Sequence, residues 1–169
     1  MKRIITVVAI ILMVTAAKAQ TLQSLFEKYS DDERFTYVTV GSGMMNFASK
    51  FAGSDKKGKE MMSKMKSIKI LTLTDESNST ILKSITQELD KVVQTGNFET
   101  AVEAREKGER VQIYYRLTGK DNADMLIVTK EKSEFSLIWI SGKMSKEEMM
   151  HTFSDNGKNI NLMYQGENS

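Results

Sequence analysis

Residues 98 to 142 hold four closely spaced segments in which apolar and polar side chains alternate, and no other feature constrains the fold as strongly. A strand turns successive side chains to opposite faces, so a period of two marks a sheet with two unlike faces. The clearest case is Val111-Gln112-Ile113-Tyr114-Tyr115-Arg116-Leu117. Read by polarity, Val111, Ile113, Tyr115 and Leu117 face the core, and Gln112, Tyr114 and Arg116 face outward. The last segment, Phe135-Ser136-Leu137-Ile138-Trp139-Ile140, carries the only Trp. The four run over 98–106, 110–118, 123–130 and 134–142, with short polar links between them. Such links make successive strands antiparallel neighbours, so the region is predicted to be a meander.

Helices and strands precede it. Leu22, Leu25, Phe26 and Tyr29 repeat at helical spacing behind Thr21, a suitable N-cap. Phe35 to Val40 is rich in aromatic and β-branched residues and reads as a strand. Ser42 can cap a helix whose apolar stripe is Met44, Phe47, Ala48 and Phe51, with Met45 and Ala52 beside it. After the flexible basic stretch 53–58, a second helical piece from Lys59 to Met65 carries Met61, Met62 and Met65. Residues 68–73 are apolar on both sides, which predicts an interior strand. The longest helix spans 79–95, with caps among Asp75 to Ser79 and Gly96 at the C′ position. Ser145-Lys146-Glu147-Glu148 is a capping-box pattern that opens a last helix burying Met149, Met150 and Phe153.

This order gives an α+β fold: one mixed, mostly antiparallel sheet of about six strands with helices packed mainly on one face. The first two strands are joined by a helical crossover and are expected to pair in parallel, right-handed. An edge position for residues 35–40 argues against that pairing.

Residues 1–19 read as a cleaved signal peptide. Lys2 and Arg3 precede an apolar run, Ile4 to Ala17, and Ala17-Lys18-Ala19 supplies the small residues of a cleavage site. The run is short of the ~20 residues that span a membrane, so no transmembrane segment is expected after cleavage; the alternative reading of the same run is an uncleaved N-terminal anchor. Residues 20–153 then form one α+β domain, and 154–169 are a polar tail. Removing Lys2, Arg3 and Lys18 leaves 21 basic against 22 acidic residues. A near-neutral domain offers no electrostatic case for nucleic-acid binding. With no Cys there is no disulfide, thiol nucleophile or lipid-modified N-terminus.

The chemistry-bearing residues are sparse. His151, the single histidine, has no neighbouring partner group and cannot build a zinc site alone. Thioether sulfur binds Cu(I), so Met61, Met62 and Met65 are metal candidates, although Met at helical spacing fills core gaps more often. Acidic clusters (Asp31-Asp32-Glu33, Asp75-Glu76, Glu147-Glu148) sit at turns and helix starts, where caps and helix dipoles explain them. A hydrolase would need two of them converging across a cleft. There is no nucleophile elbow, phosphate loop or His-Glu-x-x-His. No catalytic residue and no cofactor is assigned.

Several stretches in order carry a family resemblance. They are Phe26-Glu27-Lys28-Tyr29 leading into Phe35-Thr36-Tyr37-Val38, then Ile68-Lys69-Ile70-Leu71, Val111-Gln112-Ile113-Tyr114-Tyr115 and Ile140-Ser141-Gly142-Lys143-Met144. Together they resemble an exported Bacteroidetes family known only as domain of unknown function family 4252, over roughly residues 22 to 153. The resemblance implies an envelope protein of Gram-negative bacteria with no assigned activity, and it points toward a stress-response role. Many relatives look like lipoproteins, and this chain departs from them in lacking the Cys. The resulting expectation is a periplasmic or secreted, non-enzymatic protein that binds an envelope protein or a small ligand. The alternatives are an unfamiliar carboxylate hydrolase and a Cu(I)-binding protein using Met61, Met62 and Met65.

Overall fold

The structure, a computed structural model, describes residues 21–51, 56–74, 79–131, 134–145 and 148. In chain order the elements are α1 (Leu22–Ser30), β1 (Phe35–Gly41), α2 (Ser42–Phe51), α3 (Lys56–Lys64), β2 (Met65–Thr74) and α4 (Ser79–Thr95). The meander follows as β3 (Glu99–Glu106), β4 (Glu109–Leu117), β5 (Ala123–Lys130) and β6 (Glu134–Gly142). One open sheet runs in the order β1-β2-β6-β5-β4-β3. The α+β class, the six strands and the antiparallel meander are as expected, and β2 occupies the interior position that its two apolar sides predict.

The pairing of β1 with β2 corrects the sequence reading. It is antiparallel, from Phe35 opposite Leu73 to Gly41 opposite Ser67. The reason lies in the connection. α2 follows β1 at once, α3 runs directly into β2, and two successive helices form an out-and-back excursion. The chain re-enters the sheet at the end it left, so β2 runs back beside β1. β1 is an edge strand, the position that tells against parallel pairing.

The main core lies between one face of the sheet and helices α1 and α4. Thr21 caps α1 through a reciprocal box with Ser24, and Leu22, Leu25, Phe26 and Tyr29 are all buried. α4 contributes Ile85, Leu89 and Val92. The sheet answers with Phe35, Leu71, Leu73, Tyr114, Leu126, Val128, Phe135 and Leu137. Full burial of one such side chain is worth about 1.5–3 kcal/mol, so this layer dominates stability. Aromatic contacts tie α1 to the sheet, with Phe26 5.6 Å from Trp139 and Tyr29 5.0 Å from Phe35.

Two further corrections concern sidedness. In β4 the helix-covered side is Gln112, Tyr114 and Arg116, with Gln112 and Tyr114 buried, the reverse of the polarity reading. In α2 it is Met45 that is buried, while Met44 and Phe47 are 63% and 58% exposed. The Met-bearing helix ends at Lys64, so Met65 opens β2 rather than continuing α3.

The end of α4 also differs by one residue. Phe98 N–H reaches back to the Val93 carbonyl at 3.3 Å, and Asn97 takes the left-handed conformation with φ 56°. Asn97 is therefore the C′ residue. Gly96 is needed for space: a Cβ there would lie 2.6 Å from the Val92 carbonyl oxygen. At the other end of the chain, Ser145 N–H donates to Glu148 Oε2 (2.9 Å) and Glu148 N–H to Ser145 Oγ (3.2 Å), which is the expected capping box. Met149, Met150, His151, Phe153, the tail 154–169, residues 1–19 and the caps Asp75 to Asn78 lie outside the described residues.

Candidate functional site

The sheet face opposite α1 and α4 carries three rows of side chains in register. One row crosses all six strands as Val38, Ile70, Ile138, Ile127, Ile113 and Val102. On one side of it lies Val40, Ile68, Ile140, Met125, Tyr115 and Glu99. On the other lies a hydroxyl-rich row, Thr36, Thr72, Ser136 and Thr129, continuing to Val111 and Ala104. β-branched side chains on neighbouring strands cover one another, which leaves most of the central row half-buried and Val38 43% exposed. At one end the chain leaving β6 turns onto this face, where Met144 is buried with Tyr115 and Ala123. Tyr115 also donates its hydroxyl to the Glu99 carboxylate. No residue of α1 or α4 belongs to that small cluster.

The helix-covered face carries polar groups at both ends. At one end Asp124 is buried and accepts from Arg116 Nε (2.9 Å) and Nη2 (2.8 Å), and from Trp139 Nε1 (3.0 Å). The guanidinium lies 4.5 Å from the Phe98 ring, and Lys69 Nζ is 4.6 Å from the Trp139 ring, both within cation–π range. Every strong donor here has an acceptor or a ring, so the cluster reads as a pinned corner of the fold. At the other end Arg105, Arg110 and Lys130 face each other across β3, β4 and β5. Glu103 Oε1 accepts from Arg105 Nη2 at 2.6 Å and Arg110 Nη2 at 2.8 Å. Arg110 Nε is buried with no acceptor among the described residues. Burial, before any neighbouring charge, pushes the Lys130 ammonium below its ordinary value.

The residues singled out in the sequence fall on several elements of the fold. Met61 and Met62 lie on α3, half-buried and 36% exposed, and Met65 is half-buried at the start of β2. Lys56 belongs to the first turn of α3, so the basic stretch is partly helical. Among the described residues no group of three or more His, Cys, Asp and Glu could hold a metal ion. Asp32 pairs with Arg34 at 2.5 Å, and Glu148 with Lys64 at 2.6 Å. Lys64 also binds Glu60, and the two carboxylates raise its ammonium to about 12. Among the described residues no helix is long and apolar enough to cross a membrane.

Sequence reasoning passed over Asp124 and the cation row. Asp124 had a legible signal: a lone carboxylate inside Ala123-Asp124-Met125-Leu126-Ile127-Val128, whose natural partner across a meander is Arg116. The cation row depends on the registers of two hairpins, which spacing alone does not set. No curated protein and no solved structure matches the chain. The model of one family matches residues 29–152, and the chain therefore belongs to the family described as Domain of unknown function (DUF4252).

Proposed function

We propose that this is an exported, non-enzymatic protein of the bacterial envelope that binds a partner protein through the face of its sheet opposite α1 and α4. The observation that carries the reading is the aliphatic row from Val38 to Val102, laid across six strands with a hydroxyl-rich row along one side. Contiguous apolar surface of this kind marks interaction sites. Its chemistry fits a partner that presents an apolar helix or strand face, with hydrogen-bonding groups along the Thr36–Thr129 side. Export is supported by the charged, apolar and small-residue sequence of residues 2–19. A part in envelope stress rests on the family resemblance.

The test is site-specific photo-crosslinking in native envelopes, with the crosslinker at Ile127 on this face or at Lys83, exposed on α4. A discrete product at position 127, absent at 83 and lost on adding Ile138→Lys with the circular dichroism unchanged, is the expected result. Equal capture at both positions, or none at 127, overturns the reading.

A further inference from the structure

The two edges of the sheet differ in how they are defended. An edge strand offers unpaired backbone groups to any other strand, and natural edges block this with charge, proline or bulges. β3 uses two such devices: Glu99, Glu103, Arg105 and Glu106 along its length, and a register shift between Thr100 and Val102. β1 uses none of them. Its sequence Phe35-Thr36-Tyr37-Val38-Thr39-Val40-Gly41 has no charge and no proline, and its seven pairs with β2 are unbroken. Thr36, Val38 and Thr39 are exposed. Among the described residues the only other backbone hydrogen bond from β1 is Phe35 N–H to the Asp32 carbonyl, at its first residue.

We infer that the outer edge of β1 pairs antiparallel with β1 of a second copy of this chain, joining two sheets about a two-fold axis at Val38. The strand suits itself in that arrangement. Val38 meets Val38, Thr36 meets Val40, and Tyr37 meets Thr39, all of them favourable cross-strand combinations with no like charges opposed. The asymmetry of the edges also selects a closed dimer. Pairing β1 with β3 of the next copy would be heterologous and open-ended, and the charges and shifted register of β3 oppose it. Pairing β1 with β1 consumes both undefended edges and leaves only β3 edges outside. Edge pairing buries less than the ~1,600 Å² of a standard interface, so the dimer dissociates on dilution. This inference rests on the edge, independently of any partner on the sheet face.

Sedimentation velocity across a dilution series of the purified chain tests it. The expected result is a reversible monomer–dimer equilibrium. Val38→Lys opposes two ammonium groups on the axis and weakens dimerisation about tenfold or more, in line with the cost of like charges juxtaposed across an interface. Val38→Glu alone weakens it similarly, and mixing the two variants restores a heterodimer. Ala104→Lys, on the β3 edge, leaves the equilibrium unchanged. Because the chain has no Cys, oxidation of Val38→Cys gives a covalent dimer and Ala104→Cys gives none, a readout that survives if a charged variant misfolds. A chain that is monomeric throughout, a lysine–glutamate mixture that stays monomeric, or equal crosslinking at 38 and 104 overturns the proposal.

Discussion

At the residue scale, Asp124 shows how a buried charge is tolerated. Three N–H groups converge on its carboxylate, two from Arg116 and one from Trp139. Removing one partner of a buried pair strands the other and costs about 3–5 kcal/mol, so Asp124→Ala is expected to lose that much in urea unfolding. Met in place of Arg116 together with Leu in place of Asp124 should recover most of the loss, because neither charge then remains buried alone. Asp32 is a different case, a half-buried carboxylate that accepts the guanidinium and backbone N–H of the exposed Arg34. The guanidinium, named first among the causes, lowers the carboxyl from 3.8 to about 2. A depressed carboxylate stabilises the fold above its unfolded value and stops doing so as pH falls, here between about 4 and 2. Solvent screens this pair, so the measurement is an NMR titration of the Asp32 carboxyl. In Arg34→Ala its midpoint returns toward 3.8.

At the element scale, what could be read from sequence followed the strength of the local pattern. All four apolar residues assigned to α1 are buried, because one stripe of large residues faces an otherwise polar helix. α2 carries Met44, Met45 and Phe47 on two adjoining stripes, and periodicity cannot choose between them. Its position beside the sheet ends does, and Met45 turns inward. At the C-terminus of α4, Gly next to Asn made glycine the obvious left-handed residue, yet Asn97 holds that conformation and Gly96 makes room for the Val92 carbonyl and the Phe98 ring. The two roles separate by mutation. Asn97→Gly keeps the helix end intact and leaves the melting temperature nearly unchanged, whereas Asn97→Ala loses about 1 kcal/mol to the left-handed penalty. Gly96→Ala forces the Cβ onto the carbonyl and is the most damaging of the three. Equal effects at 96 and 97 would mean the assignment of roles is wrong.

For the whole molecule, the strands were legible and their facing was not. Alternation fixes which residues share a face, but a period of two leaves two solutions, and a strand such as β4 with apolar residues on both faces does not decide between them. The choice is made by the strands together. Phe35, Leu73, Phe135, Leu71, Leu137, Val128 and Leu126 are large, lie on one side of the registered sheet, and set where α1 and α4 dock. Gln112 and Tyr114 are carried under the helices with them, Arg116 finds Asp124, and the β-branched row is left on the far side. Adjacent residues of β5 test this division directly. Leu126 is fully buried in the main core, and Ile127 sits in the far-side row, half-buried. Leu126→Ala removes a packed side chain and leaves a cavity, a loss of about 2–5 kcal/mol. Ile127→Thr keeps a β-branched strand former on a face with no helix of the main core above it, and should cost about 1 kcal/mol or less. Urea midpoints measured on the two variants at unchanged m-value should separate accordingly. A loss at Ile127 equal to or greater than that at Leu126 would show that the far face is itself a packed core, and the surface proposed for partner binding would then be occupied from within the chain.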